Sequence, residues 1–445
     1  MTVAIVGAGP AGTRAAEVLV RAGLRPAVID EAAGNGGRIY QRQPDGFARD
    51  ARALYGFEAA RARAVHESFA ALAGRIDWHP RTLVWSIRPD RLLTLRDGVQ
   101  GEVPWRHLIL ATGAMDRIVP VPGWTLPGVF TLGGAQVALK TQGVAIGRRV
   151  AFVGTGPLLI LVACQYAKAG AEVVLVLDTA GFGAAARQAA GLARGGATFA
   201  KGLYYMAALR RRGVRVVRGG TPLAFEGDGE LSGLRWRDGR GEHRVACDAA
   251  GLGFGLKPET QLADLAEVPF AFDARQRLWL PERDATGRTP RPGIYLAGDG
   301  AAIGGADVAE LAGARAAWAV IEDRGLVVDR AEVARLDRAL ARHAPFRAAL
   351  DLAFPYPGAL AAAAPDDCIV CRCEAVTAGE LRTAARDAPE VNRGKALTRV
   401  GMGRCQGRVC GPPAAEILAA ELGCDIAEVG RLRGQPPVKP IPVLA

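Results

Sequence analysis

The sequence predicts an α/β protein with two Rossmann-like dinucleotide-binding units, the first interrupted by the second, and a small C-terminal cysteine domain. Three observations predict it. A short apolar strand at the start runs straight into Gly7-Ala8-Gly9-Pro10-Ala11-Gly12. The same grammar returns as Val150-Ala151-Phe152-Val153 leading into Gly154-Thr155-Gly156-Pro157. Six of the eight cysteines fall between positions 368 and 424.

Size and composition agree with that plan. At roughly 100–200 residues per domain, 445 residues predict two to four domains. Half the chain is apolar and 23% is charged, enough for a sizeable core and against wholesale disorder. The apolar run Leu158–Cys164 is seven residues, where a membrane span needs about 20, so no integral membrane segment is expected. The opening residues carry no basic n-region and no cleavage site, so the chain is expected to be cytoplasmic. The formal charge is +11, yet only six of the 56 basic residues are lysine, and the arginines are spread along the chain in short runs. That pattern fits solvated faces, not a nucleic-acid surface, and could still favour an acidic partner subunit or an anionic cofactor.

Residues 1–118 make the first part of the first unit. Glycines 7, 9 and 12 allow a tight turn, close approach of backbone to a diphosphate, and close packing of helix on strand. Pro10 and Ala11 open the helix, whose N-terminus offers free N–H groups and the positive end of its dipole. A second strand ends in Asp30, spaced to accept the hydroxyls of an adenosine ribose. Residues 119–250 repeat the arrangement, with Gly154, Gly156 and Pro157 at the turn and Asp178 at the end of the second strand. Asp178 would repel a 2′-phosphate, which favours NAD over NADP. Leu159 stands where a third glycine would let the helix approach most closely. Two readings stay open there: an NAD site, or a retained scaffold holding no nicotinamide or a non-redox nucleotide. The second is favoured. Cys164 lies inside an apolar helix and reads as packing, and the middle region has no C-x-x-C for disulfide chemistry.

Residues 251–325 return to the first unit with Ile294-Tyr295-Leu296-Ala297 and a long alanine-rich helix after Gly298-Asp299-Gly300. A helical connector follows at 326–365, then the cysteine domain at 366–430. Pro436, Pro437, Pro440 and Pro442 make 431–445 a loose tail. The cysteine domain holds Cys368-Ile-Val-Cys371-Arg-Cys373-Glu374 and, later, Gly401-Met-Gly-Arg-Cys405-Gln-Gly-Arg-Val-Cys410. Four thiolates are what a [2Fe–2S] cluster needs, and the glycines let backbone N–H groups crowd its sulfurs. A structural zinc on Cys368, Cys371, Cys405 and Cys410 is the competing reading. Five candidates compete for four positions. A C-x-C pair grips one edge of a small rhombic cluster and the C-x4-C segment the other. The expected ligands are therefore Cys371, Cys373, Cys405 and Cys410, with Cys368 a bystander on a mobile stretch after Asp366-Asp367. Cys424 lies outside the pattern. No His–Asp or Tyr–Arg constellation reads as a clamp for an amino acid, and catalytic residues stay unassigned.

Companion motifs carry a resemblance. Gly36-Gly37-Arg38-Ile39-Tyr40, Leu110-Ala111-Thr112-Gly113 and Ile294 to Asp299 together resemble the two-dinucleotide-domain flavoprotein superfamily. The resemblance implies FAD in the first unit, with Ala111, Thr112 and Gly113 passing beside it. It places Gly37 and Arg38 near the flavin, Arg38 standing where glutamine is commoner. It also implies that Asp299, after Gly298, binds the ribityl hydroxyls, and that the helix after Gly300 points its N-terminus at the flavin pyrimidine. Cys371-x-Cys373 and Gly401 to Arg408 resemble the bacterioferritin-associated-ferredoxin type of [2Fe–2S] domain. Nearly the whole chain is similar to the α (A) subunits of heteromeric dye-linked dehydrogenases: opine oxidase, D-hydroxyproline and L-proline dehydrogenases, and hydrogen cyanide synthase. That similarity implies an amino-acid-oxidase-like flavoprotein β subunit that oxidises the C–N bond of an amino acid, imino acid or opine. This chain would relay the electrons to an acceptor. The alternatives are a stand-alone NADH-dependent FAD/[2Fe–2S] oxidoreductase using the second unit, and a non-enzymatic scaffold.

Overall fold

The structure is a computed structural model and describes residues 2–44, 46–47 and 49–442. Two five-stranded parallel sheets carry the two units. The first runs Ile294–Leu296, His107–Leu110, Val3–Val6, Ala27–Ile29, Asp77–His79. The second runs Val129–Thr131, Ala249–Phe254, Arg149–Thr155, Glu172–Asp178, Val216–Arg218; four strands follow the same plan, but its edge strand Val129–Thr131 comes first in the chain where its counterpart Ile294–Leu296 comes last. Sheets of this kind are covered on both faces, which is why their central strands read as continuous apolar runs. The strand Ala249–Phe254 is buried throughout and pairs with Arg149–Thr155, so the second sheet continues past position 250.

Each unit also carries a three-stranded antiparallel sheet that the motifs do not announce: Thr82–Ile87, Arg91–Arg96 and Val99–Pro104 in the first, Thr221–Glu226, Gly233–Asp238 and Gly241–Ala246 in the second. Asp97 and Gly98 turn the first of these with φ of 50° and 82°, the left-handed pair a two-residue hairpin requires.

The helix Pro10–Arg21 lies along Ala306–Asp323. The sequence places the latter helix directly after Gly300. Instead Gly298–Gly300 form a 3-10 turn and the α-helix starts at Ala306, because Asp299 accepts hydrogen bonds from the Gly304 and Gly305 N–H groups at 2.8 and 2.9 Å and holds that loop open. The connector helix Arg330–Ala353 crosses to the second unit and packs Phe346, Ala349 and Ala353 on Leu192. The cysteine domain shares one continuous buried core with the second unit. Trp124 Nε1 donates to the Ile369 carbonyl at 2.6 Å, and Arg277 grips the buried Glu416 with two bonds of 2.8 and 2.6 Å.

Over its described residues, 431–442, the tail is held in place. Arg431 pairs with Asp264, Val438 is buried in the core of the first unit, and its N–H reaches the Trp85 carbonyl at 3.1 Å. Its prolines suggest a free end; the buried Val438 among them anchors it. Among the described residues no helix is long and apolar enough to cross a membrane.

Candidate functional site

In the first unit, strand Val3–Val6 delivers the chain into a turn at Gly7. A Cβ on Gly12 would lie 1.8 Å from the Gly7 carbonyl oxygen, so only glycine lets helix and turn meet this closely. Gly9 caps the helix without a side chain and Pro10 stands in its first turn, which leaves the Ala11 and Gly12 N–H groups without an intrahelical acceptor. Asp30 braces the turn. Its Oδ2 accepts from Ala8 N–H at 2.6 Å and its Oδ1 from Ala32 N–H at 2.7 Å. Burial raises its pKa, while those two bonds and the Arg38 charge pull the other way. Each oxygen keeps a second lone pair for a ribose hydroxyl. Gly37 faces Gly9 across the turn, and Arg38 is exposed.

The second unit has the same turn but different surroundings. Gly156 caps the helix Pro157–Lys168 with no side-chain bond, as Gly9 does. Leu159 is fully buried in the packing of that helix. Phe354, at the end of the connector, lies against Gly156: a Cβ there would sit 4.0 Å from the Phe354 Cβ. Asp178 is 1% exposed. Its Oδ1 accepts from Ala180 N–H at 3.0 Å, and its Oδ2 lies 3.8 Å from Arg218 Nε. Neither of those last two atoms has a hydrogen-bond partner among the described residues. Burial pushes the Asp178 carboxyl up to about 6, against the pull of the Ala180 N–H and Arg218.

The cysteine domain brings four thiols together. Cys371 hydrogen-bonds Cys410, Cys410 bonds Cys405, and Cys405 bonds Cys373. This is a chain, not a single focus; no three His, Cys, Asp or Glu among the described residues are set to hold a single metal ion. Peptide N–H groups of Glu374, Gly401, Cys405, Gly407 and Val409 point at the sulfurs. The hydrogen bond from Cys410 takes Cys371 down to about 6 and Cys405 to about 5, with backbone N–H groups adding to it. Cys410 moves the other way. Cys371 and Cys410 are buried, Cys405 is half-buried and Cys373 is exposed. Cys368 stands apart. It is buried in the core, where the sequence predicts a mobile stretch, and burial pushes its thiol up to about 11.

Comparison with known proteins agrees with this layout. Residues 1–316 match the pyridine nucleotide-disulphide oxidoreductase family, and residues 369–420 the BFD-like [2Fe-2S] binding domain. The A-type subunit of opine oxidase from Agrobacterium tumefaciens is 37% identical over 98% of this chain and 89% of its own length. The chain belongs to the pyridine nucleotide-disulphide oxidoreductase family, alongside the A-type subunits of opine oxidase. Hydrogen cyanide synthase subunit HcnB of Pseudomonas aeruginosa is 34% identical over 99% of this chain and 96% of its own. In fold, L-proline dehydrogenase from P. horikoshii superposes with a TM-score of 0.71 at 20% identity, covering 100% of this chain and 79% of that one. The chain is thus an oxidoreductase subunit with a flavin domain and a [2Fe–2S] domain.

The residues fit what the family implies. For FAD, the first unit offers a capless helix N-terminus at Gly9 and a second at Gly305, with open space beside both Gly113 and Gly305, where a Cβ would meet nothing within 4 Å. For the cluster, the donor set is four thiols with backbone donors already aimed at them. When bound, FAD would exchange one or two electrons and the cluster one at a time. Motif reading places these residues but misses Phe354 and the two ties to the cysteine loop, Glu259, whose carboxylate accepts from Arg408, and Gln261, which donates to the Gln406 carbonyl. None of them stands in a recognisable pattern.

Proposed function

We propose that this chain is the electron-relaying FAD/[2Fe–2S] subunit of a heteromeric amino-acid, imino-acid or opine dehydrogenase of the cytoplasm. The C–N bond is oxidised on a separate amino-acid-oxidase-like flavoprotein β subunit, which carries its own flavin. Gly7, Gly9, Pro10, Ala11, Gly12, Asp30, Gly37, Arg38, Ala111, Thr112, Gly113, Gly298 and Asp299 hold FAD, and Cys371, Cys373, Cys405 and Cys410 hold the cluster. The observation that carries this reading is the gathering of those four thiols in a domain packed against both units of the flavoprotein. The subunit names of the relatives support a complex. Gly154, Gly156, Pro157 and Asp178 serve as scaffold, a reading supported by the buried Leu159 at the third-glycine position and by the approach of Phe354 to Gly156.

The test is purification of the chain with whatever co-elutes, followed by flavin, iron and sulfide analysis. One FAD and two irons per chain are expected, and an amino or imino acid should bleach the flavin only when a second flavoprotein chain is present. Bleaching by such a substrate with this chain alone would overturn the proposal. For the ligands, serine at positions 371, 373, 405 or 410 should abolish or shift the EPR signal of the reduced cluster, while Cys368→Ser should leave it. Loss at 368 with retention at 373 would replace the C-x-C grip by C-x2-C.

A further inference from the structure

One short segment touches both candidate redox sites. The Glu259 N–H donates to the Gly113 carbonyl at 2.9 Å, and Thr112 Oγ1 donates to the Glu259 carbonyl at 2.6 Å. Its backbone is therefore clamped to the segment that passes the flavin. Its side chain faces the other way: Arg408, between Cys405 and Cys410, donates Nε to Glu259 Oε2 at 2.6 Å. Gln261 N–H holds the second carboxylate oxygen at 3.2 Å, and Gln261 Nε2 donates to the Gln406 carbonyl at 2.6 Å. Arg408 Nη1 also reaches the Cys405 carbonyl at 3.4 Å. The Glu259 and Arg408 side chains are only 20% and 10% exposed. Water therefore screens this pair little, and its charges act on their neighbours more strongly than surface charges would.

We propose that Glu259 and Arg408 are a positioning pair that fixes the cysteine loop on the flavin segment and sets how an electron is shared between cluster and flavin. This rests on the FAD and [2Fe–2S] reading above. The physical ground is a sign. A reduced cluster carries one more negative charge than an oxidised one. The Glu259 carboxylate opposes that charge and the Arg408 guanidinium favours it. Paired, they nearly cancel; singly, each moves the potential in its own direction. A merely structural tie has no such sign, because loosening the loop from either end gives the same result.

The experiment is a redox titration of the full purified chain, following the cluster by EPR and the flavin by absorbance. Glu259→Gln, which keeps the shape and removes the charge, should raise the cluster potential. Arg408→Gln should lower it. Each should change the cluster-to-flavin electron ratio about tenfold, or about 59 mV for a one-electron couple. Gln261→Ala cuts the neighbouring tie without touching a charge and should leave the potential in place. If Arg408→Gln assembles no cluster, Arg408→Lys takes its place: it keeps the charge and loses the fork, so a cluster-to-flavin electron ratio within a factor of two of wild type is expected. Shifts of one sign in both charge variants, or none in either, would overturn the pair while FAD and cluster stand. A wild-type chain holding neither flavin nor iron would remove the reading itself, and the pair with it.

Discussion

In the first unit, helix and turn meet so closely that a methyl group on Gly12 would lie 1.8 Å from the Gly7 oxygen; in the second, the fully buried Leu159 fills the matching place. In the first, the capless helix end at Gly9 faces only the Gly37 backbone, and the space beside Gly305 is open. In the second, Phe354 of the connector lies against Gly156. Asp30 braces its turn through Ala8, whereas Asp178 faces Arg218 with no hydrogen bond on its second oxygen. Four of the five strands follow the same order in the two sheets, so the shared backbone plan does not by itself separate the units. The units differ instead in one motif side chain, Leu159 against Gly12, and in Phe354, the residue that ends the connector helix about two hundred positions away.

Four changes would break or sharpen this contrast. The largest effect is expected from Gly12→Leu, which gives the first unit the residue of the second. Overlap with backbone at under 2 Å cannot relax by a rotamer change, so the purified chain should show no flavin absorbance. Leu159→Gly should leave flavin content unchanged, and a flavin-loaded Gly12→Leu chain would dissolve the distinction between the units. Next, Asp299→Ala should weaken FAD by about 1.5–3 kcal/mol, read from flavin released on dilution, because a charged acceptor for a hydroxyl is lost. Asp178→Ala should release none.

A third change concerns stability. The Asp178 carboxyl stands at about 6 in the folded chain against an ordinary value of 3.8. A raised acid binds its proton more tightly when folded, so its contribution is present at low pH and lost as pH rises from about 3.8 through about 6. Asp178→Asn, neutral throughout, should be more stable than wild type at pH 8, by about 1–3 kcal/mol, and no more stable near pH 4. Thermal melts at the two pH values check this, and an equal difference at both would refute the proton account. The smallest effect is expected from NADH. It should bleach the flavin slowly or not at all, and Phe354→Ala should not change that while Leu159 remains. Stopped-flow bleaching on the order of 10 s⁻¹ would instead favour a stand-alone NADH-dependent enzyme.

Much of the site was legible because it is local. A glycine turn between a strand and a helix, an acid at the next strand end, and cysteines at C-x-C and C-x4-C spacing are each written within a few dozen residues. The antiparallel sheets were open to the same reading at Asp97-Gly98, a hairpin turn between alternating strands, and went unread. Other features were not legible. Phe354 approaches Gly156, and Glu259 bonds Arg408, across separations that no short pattern records. The tail misled for a related reason: four prolines describe the backbone of 431–445, but the burial of Val438 depends on a groove built from other parts of the chain.

That tail has a consequence in time. Lys439 forms an ion pair with Glu31, the neighbour of Asp30, and Arg408 Nη1 holds the Val438 carbonyl at 2.7 Å. The two ends of the Lys439–Glu31 contact are 408 residues apart in the chain. At about 5–20 residues per second, the ribosome delivers Lys439 about 20–80 s after Glu31. The Glu31 end of this contact is thus among the earliest parts made, and its Lys439 partner reaches it only after nearly all of the described chain has been synthesised.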